Sequence, residues 1–215
     1  MHSPTIRIAT ILSITLAFTT LALAGPPLIC HPLNIGPAKT LPWVDLNYRP
    51  GDGGYELKNL ATDTLAILDA SDSAIVHMET IRRATVYARR DEQAARELLV
   101  RLHARATSAN AGAFAFFDLG YFAEAEKQWS SVGEHNPAGS IDGFALIRKA
   151  LAIRADSEME FGAAMAAIMK SEQERNPHLQ KALAGGKTNA LLAQNLNSFF
   201  NKQTIASLLA DGEKN

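Results

Sequence analysis

A chain of 215 residues, 47% hydrophobic and 20% charged, is long and apolar enough to bury one sizeable core and too apolar to remain disordered. Its 21 basic residues against 22 acidic ones leave no overall field to draw nucleic acid or an anionic membrane. A single cysteine excludes an internal disulfide, so packing alone must hold the fold.

In chain order, residues 1–24 read as a translocation signal. Arg7 with His2 gives a weakly basic start, and Ile8 to Leu23 is apolar apart from small hydroxyl residues. That run of about 16 residues suits a signal peptide and falls short of the roughly 20 a membrane span needs. It closes on Ala22-Leu23-Ala24, a small-x-small pattern, and Gly25-Pro26-Pro27 stops any helix. The expectation is cleavage near Ala24, a periplasmic or extracellular product, and no transmembrane span after cleavage. Pro27-Leu28-Ile29 lacks the small residue that a lipidated Cys30 would need before it.

Residues 25–54 hold six prolines and five glycines, which exclude a long regular element. Leu28, Ile29, Leu33, Leu41, Trp43 and Tyr48 are nonetheless too apolar for a solvated linker. The expectation is an extended strap laid across a helical body, anchored by Trp43 and capping the first helix pair.

Residues 55–210 alternate helical periodicity with short breaks. Leu57, Leu60, Ala61, Leu65 and Leu68 trace one face, and residues 69–73 end that helix and offer caps for the next. Ile75, Met78 and Val86 continue the period toward Arg90. Asp91 precedes the stripe Ala94, Ala95, Leu98, Leu99, Leu102. Residues 107–118 form the next helix, broken at Gly120, and Phe122 to Val132 follow. Phe144, Ile147 and Leu151 mark another. Ser157-x-x-Glu160 has the form of a capping box. Asn176-Pro177 suits an N-cap with proline at the first helical position. Gly185-Gly186 reads as a junction before Leu191, Leu192, Leu196 and Phe199, and residues 211–215 as a polar tail. Starts near 74, 107 and 140 lie about 33 apart, a hairpin-repeat spacing. The expected fold is all-α: antiparallel helical hairpins stacked as a short superhelix, with an irregular N-terminal strap.

Residues 109–137 resemble a single tetratricopeptide repeat in spacing. Small Ala113 and Ala125 would let two helices touch, while Phe116, Phe122 and Trp129 would fill the gap between hairpins. Gly120 would form the turn, and Pro137 would start the onward connection. Ala109, Gly112 and Val132 depart from that pattern. Ile29-Cys30-His31-Pro32 with Ala38 to Trp43 also resembles the start of a group of exported bacterial proteins of unknown role. The repeat resemblance implies an α-α superhelix with a groove for a protein or peptide.

Candidate chemistry is sparse. Cys30 next to His31 could serve a metal or redox role, although neighbours in an extended segment point apart. His77, His103, His135 and His178 form no ligand motif. Gly185-Gly186-Lys187-Thr188 lacks the upstream glycine of a phosphate loop. Glu79, Arg82, Arg83, Arg89 and Arg90 form the richest polar cluster, with Glu79 placed to reach Arg82 and Arg83 at i+3 and i+4. Those arginines read either as a groove for a carboxylate or phosphate or as a solvated face. Without a catalytic constellation, and with no cofactor expected, the sequence favours a non-enzymatic exported scaffold engaging a protein or peptide of the envelope. The alternative is a small-molecule or metal binder, or a cryptic enzyme, using Cys30/His31 or the Arg82–Arg90 cluster.

Overall fold

The computed structural model describes residues 25–43, 54–130, 136–200, 202 and 204–206. The expected signal segment, the second part of the strap, Val132, the polar tail and the side chain of Trp129 lie outside the described residues. All regular structure among the described residues is helical: α1 (Pro27–Cys30), α2 (Leu60–Asp69), α3 (Ala74–Ala88), α4 (Glu92–Thr107), α5 (Ala113–Ser130), α6 (Gly143–Ile153), α7 (Ser157–Ala166), α8 (Glu172–Gly186) and α9 (Ala190–Phe199), with 3-10 turns at Leu57–Asn59 and Ala167–Met169. The all-α class read from the sequence is therefore correct, and no described helix is long and apolar enough to cross a membrane.

Helix α3 is the axis of the molecule. Every one of its residues except Arg83 is buried, because α1, α2, α4, α5 and α7 all pack on it. A helix covered on all sides is normally apolar all round. This one instead carries His77, Glu79, Thr80, Arg82 and Thr85 inside the core. In a solenoid each hairpin touches only its neighbours. Here α7 packs on α3, and α1 packs on both α5 and α7, so the hairpins close around a central helix instead of forming a row.

Helix α5 corrects the reading of residues 109–137. The turn expected at Gly120 is absent, and a single helix runs from Ala113 to Ser130. Ala113, Phe116, Phe122 and Ala125 are all buried, so their expected role in packing holds while the hairpin between them does not. The glycine serves a helix crossing: a Cβ on Gly120 would stand 2.5 Å from the carbonyl oxygen of Gly143, and one on Gly143 would stand 2.4 Å from that of Gly120. Two glycines thus let the backbones of α5 and α6 meet, and these two helices make the most extensive pairing in the fold. Pro137 lies in the connection between them, as expected.

Helix starts show where local sequence suffices. Asp91 caps α4 by accepting from Ala94 N–H at 3.0 Å, and Asn189 caps α9 through Leu192 N–H, also at 3.0 Å. The capping box expected at Ser157 is shifted by one residue. Asp156 accepts from Glu158 and Met159 N–H, which frees Glu160 to face α8. Pro177 does not open its helix. Ser171 does so by accepting from Glu174 N–H, and α8 runs through the proline. The Gln173 carbonyl that loses its donor belongs to an exposed residue, so water can take the place of the missing N–H.

The N-terminal segment enters the core at once. Leu28 and Ile29, on the single turn of α1, are fully buried, and each contributes about 2 kcal/mol by leaving water. Beyond them Leu33 and Leu41 bury in turn, so residues 25–43 follow the surface of the bundle with alternate apolar anchors.

Gly120→Ala should lower stability by about 1–3 kcal/mol, because the new methyl meets backbone with no room to yield. Gly112→Ala has open space around it and should be neutral or slightly stabilising. Urea melts of the two variants against the parent would measure the difference.

Candidate functional site

The polar cluster singled out by its arginines is a buried clasp. On α3, Glu79 and Arg82 have almost no solvent exposure, and Arg83 is partly covered. Glu79 Oε2 accepts from Arg82 Nε at 2.7 Å and from the backbone N–H of Leu33 at 3.0 Å. Its other oxygen, Oε1, accepts from Arg82 at 2.8 Å and from Arg83 Nε at 2.7 Å. The arginines then reach outward to the N-terminal segment. Arg82 donates to the carbonyl of Ile29 at 3.0 Å, and Arg83 to that of Leu41 at 2.6 Å.

Trp43 closes the assembly, with the guanidinium carbons of Arg82 and Arg83 at 4.9 and 5.8 Å from its ring centroid. Tyr87 donates to the carbonyl of Pro42 at 2.7 Å, and the Thr40 and Thr80 hydroxyls meet at 2.9 Å. Burial alone would raise the pKa of Glu79. The hydrogen bonds and charge of Arg82, with help from Leu33 and Arg83, outweigh it and hold the carboxyl below its ordinary value.

The i+3 and i+4 pairing of Glu79 with Arg82 and Arg83 is as the spacing predicts. The Arg82 guanidinium is spent inside the chain, with Nε and Nη2 on Glu79 and Nη1 on the Ile29 carbonyl. Arg83 gives Nε to Glu79 and Nη1 to the Leu41 carbonyl. Arg89 sits partly buried within the field of Glu126, and Arg90 is exposed. The five residues therefore separate into an internal clasp and two arginines beyond it.

Cys30 and His31 also part company. Cys30 ends α1 with its sulfur against Gly25, where a Cβ would stand 2.5 Å from Sγ. His31 sets its ring edge-on to Phe199 of α9, centroids 5.2 Å apart. Burial raises the thiol pKa of Cys30 against the field of Arg82, which disfavours the thiolate that metal binding or redox chemistry requires. Burial likewise lowers the pKa of His31 against the carbonyl of Pro27. Among the described residues no group of three His, Cys, Asp or Glu side chains could hold a metal ion.

A second buried charge centre was not foreseen. His77 Nδ1 lies 2.7 Å from Asp118 Oδ1, and its Nε2 lies 2.9 Å from the carbonyl of Ser71. Both neighbours are acceptors, so both ring nitrogens must donate and the imidazole is held as a cation. Burial opposes that charge, but Asp118 outweighs it and raises the pKa. Arg105 donates to the other oxygen of Asp118 at 2.8 Å and to Asp69 at 2.7 Å, tying α4 to α5 and α2. The Phe114 ring stacks on His77 at 4.1 Å. The available signal was Asp118 itself, an acid inside the apolar run Phe116-Phe117-Asp118-Leu119, which has to find a partner once buried.

Glu158 of α7 is a third such residue. Its Oε2 accepts from Ser73 Oγ at 2.6 Å and from Ile75 N–H at 3.1 Å, so it caps α3 from another helix. Its Oε1 accepts from Asn189 at 2.7 Å, where α9 begins.

These arrangements position helices and the N-terminal segment, and each charged group in them faces a partner within the chain. Comparison with protein families, with curated proteins and with solved structures finds no match for this chain.

Glu79→Ala should cost about 3–5 kcal/mol, because it leaves Arg82 buried without its counter-charge. Since the folded pKa of Glu79 is depressed, its contribution is present above the ordinary value of 4.5 and is lost as pH falls through the folded value. Denaturant midpoints of Glu79→Gln should therefore lose part of the acid-side slope.

His77 and Glu126 act in the opposite sense. The folded pKa of His77 lies above its ordinary 6.5, so its contribution is full below that pH and is lost as pH rises through the folded value. Glu126, pushed up to about 7 by burial against the field of Arg89, loses its contribution between pH 4.5 and about 7. Stability of the parent should decline from mildly acidic toward alkaline pH. Glu126→Gln should flatten the lower part of that slope and His77→Gln the upper part, as read from urea midpoints across the pH range.

Proposed function

We propose that this protein is exported and works as a non-enzymatic binding module that holds a protein or peptide of the envelope on its helical surface. The observation that carries this reading is the engagement of Glu79, Arg82, His77 and Asp118 with one another and with backbone carbonyls at almost no solvent exposure. Groups of that kind can act on a substrate only when at least one of them faces a cleft. Here they rigidify a scaffold, and a rigid helical body is a sound platform for a partner. The reading of Cys30/His31 or Arg82–Arg90 as a ligand or metal site loses support from the same contacts.

Export rests on the N-terminal pattern ending at Ala24. A mature chain beginning at Gly25 would place its new terminus directly before the buried Leu28 and Ile29. Mass spectrometry of the protein recovered from the exporting cell should give a chain starting at Gly25, and an intact residue 1 in the exported fraction would defeat that part of the reading.

Tagged mature protein, cross-linked in the periplasmic or extracellular fraction and captured, should bring down one partner in stoichiometric amount. Recovery of none after cross-linking, or a metal or small molecule retained stoichiometrically in native mass spectra, would overturn the proposal.

A further inference from the structure

Away from the buried clasp, the start of α6, the 3-10 turn Ala167–Met169 and helix α8 meet around Phe144. The ring of Phe144 is itself buried, yet three basic side chains converge on it. The guanidinium carbon of Arg148 lies 5.4 Å from its centroid, Lys170 Nζ lies 5.0 Å away, and the His178 ring stands edge-on at 5.7 Å. Lys149, the next residue of α6, turns about 100° away and sets its Nζ 3.9 Å over Phe116. Arg148, Lys149 and Lys170 are all exposed, and their side chains make no hydrogen bond or ion pair with a described residue.

The buried carboxylates of this region face the protein, while Asp142 and the first-turn residues Glu172 and Glu174 of α8 are exposed. Glu124 accepts from the N–H of Phe144 at 3.0 Å and from Lys127 at 2.8 Å. Glu160 is held by His178 and Lys181. Asp142 accepts from Ala145 N–H at 2.9 Å and caps α6. The hydrogen bond from Ala145 keeps its pKa low, joined by the fields of Lys127, Lys170 and Arg148. Glu172 is paired with Arg175 and Glu174 with the Ser171 hydroxyl, so the outer layer keeps a positive excess, with Arg148 and Lys170 positioned by the Phe144 ring and their N–H donors still available. Met169, 72% exposed beside Lys170, adds an apolar contact.

We infer that this face, built by Arg148 and Lys170 around Phe144, is the docking surface for an acidic segment of a protein partner, its carboxylates gripped by the guanidinium of Arg148 and the ammonium of Lys170. The inference rests on the binding-module reading and names the chemistry of the partner. A planar guanidinium beside a point-charge ammonium suits discrete carboxylates. A membrane plane is the poorer match: Asp142 interrupts the positive layer, and the near-neutral chain supplies no long-range attraction to anionic lipid.

The test uses the full mature protein and a fluorescein-labelled oligoglutamate peptide, followed by anisotropy at low and at physiological salt. The peptide should bind in a salt-sensitive manner, and Arg148→Ala combined with Lys170→Ala should weaken binding about tenfold or more. Asp142→Asn keeps the helix cap while removing the competing carboxylate, so it should tighten binding. Arg96→Ala with Arg101→Ala on α4, where both arginines pair within their own helix, should leave affinity unchanged.

Equal loss in that control pair, absence of peptide binding at low salt, or binding to phosphatidylglycerol vesicles in preference to the peptide would each overturn the inference. A partner captured equally well by the Arg148/Lys170 double variant would also overturn it, while leaving the binding-module reading intact. Failure to capture any partner, with the peptide still binding as described, would remove that broader reading and keep the surface.

Discussion

The carboxylate of Glu79 has nowhere to go. It lies on a helix covered from all sides, and a buried charge of that kind persists only if every lone pair finds a donor. Three donors come from two arginines one turn along the same helix, and the fourth comes from the backbone of Leu33. The arginines in turn need acceptors, which they find in the carbonyls of Ile29 and Leu41. The N-terminal segment is therefore a structural part of the core. Its carbonyls and its Leu33 N–H complete a charge network that α3 cannot complete alone. Networks of this type add little stability over apolar packing of equal volume, but they penalise every alternative in which a member is left unpaired. That penalty fixes how residues 25–43 lie on the bundle.

The same device recurs across the fold. Glu158 supplies to α3 the cap that Ser73 does not make, and it holds Asn189 at the start of α9. Glu124 receives the second N–H of α6, that of Phe144, near the close approach of Gly120 and Gly143. Asn34 and Asn195 exchange hydrogen bonds at 2.8 Å in each direction, so the segment before the first long helix is tied to the last one. Helix ends leave N–H groups that must be satisfied somewhere. In this protein several are satisfied by side chains 20 or more residues away, so the helices are interlocked as well as packed.

This interlocking separates two populations of charge. Glu79, Arg82, His77 and Asp118 are inward, satisfied and rigid, and their chemistry is structural. Arg148, Lys149 and Lys170 are outward and lie on aromatic rings, which constrain their position without occupying their donors. A near-zero net charge conceals this division, because net charge sums over both populations while recognition depends on the outer one alone.

Much of the architecture was legible in the sequence, and the reason in each case is local. Apolar spacing of three and four marks the helices, Asp91 caps the helix that follows it, and the apolar residues scattered through a proline-rich segment require that segment to bury them. The pairing of Glu79 with Arg82 and Arg83 was also legible, since helix geometry alone brings i+3 and i+4 together. The break at Gly120 was misread because glycine is equally compatible with a turn and with a tight helix crossing, and only the arrival of Gly143 decides between them. Ser157 and Pro177 were misassigned for a similar reason, with Asp156 and Ser171 proving the better-placed caps.

What the sequence by itself determined is an all-helical body, an apolar N-terminal segment bound to it and one intrahelical charge cluster. Tertiary structure alone decided that the cluster faces inward, that His77 meets Asp118 and that Arg148 and Lys170 meet over Phe144. Those outcomes depend on which surfaces come to face each other across tens of residues, and chain periodicity carries no information about that choice.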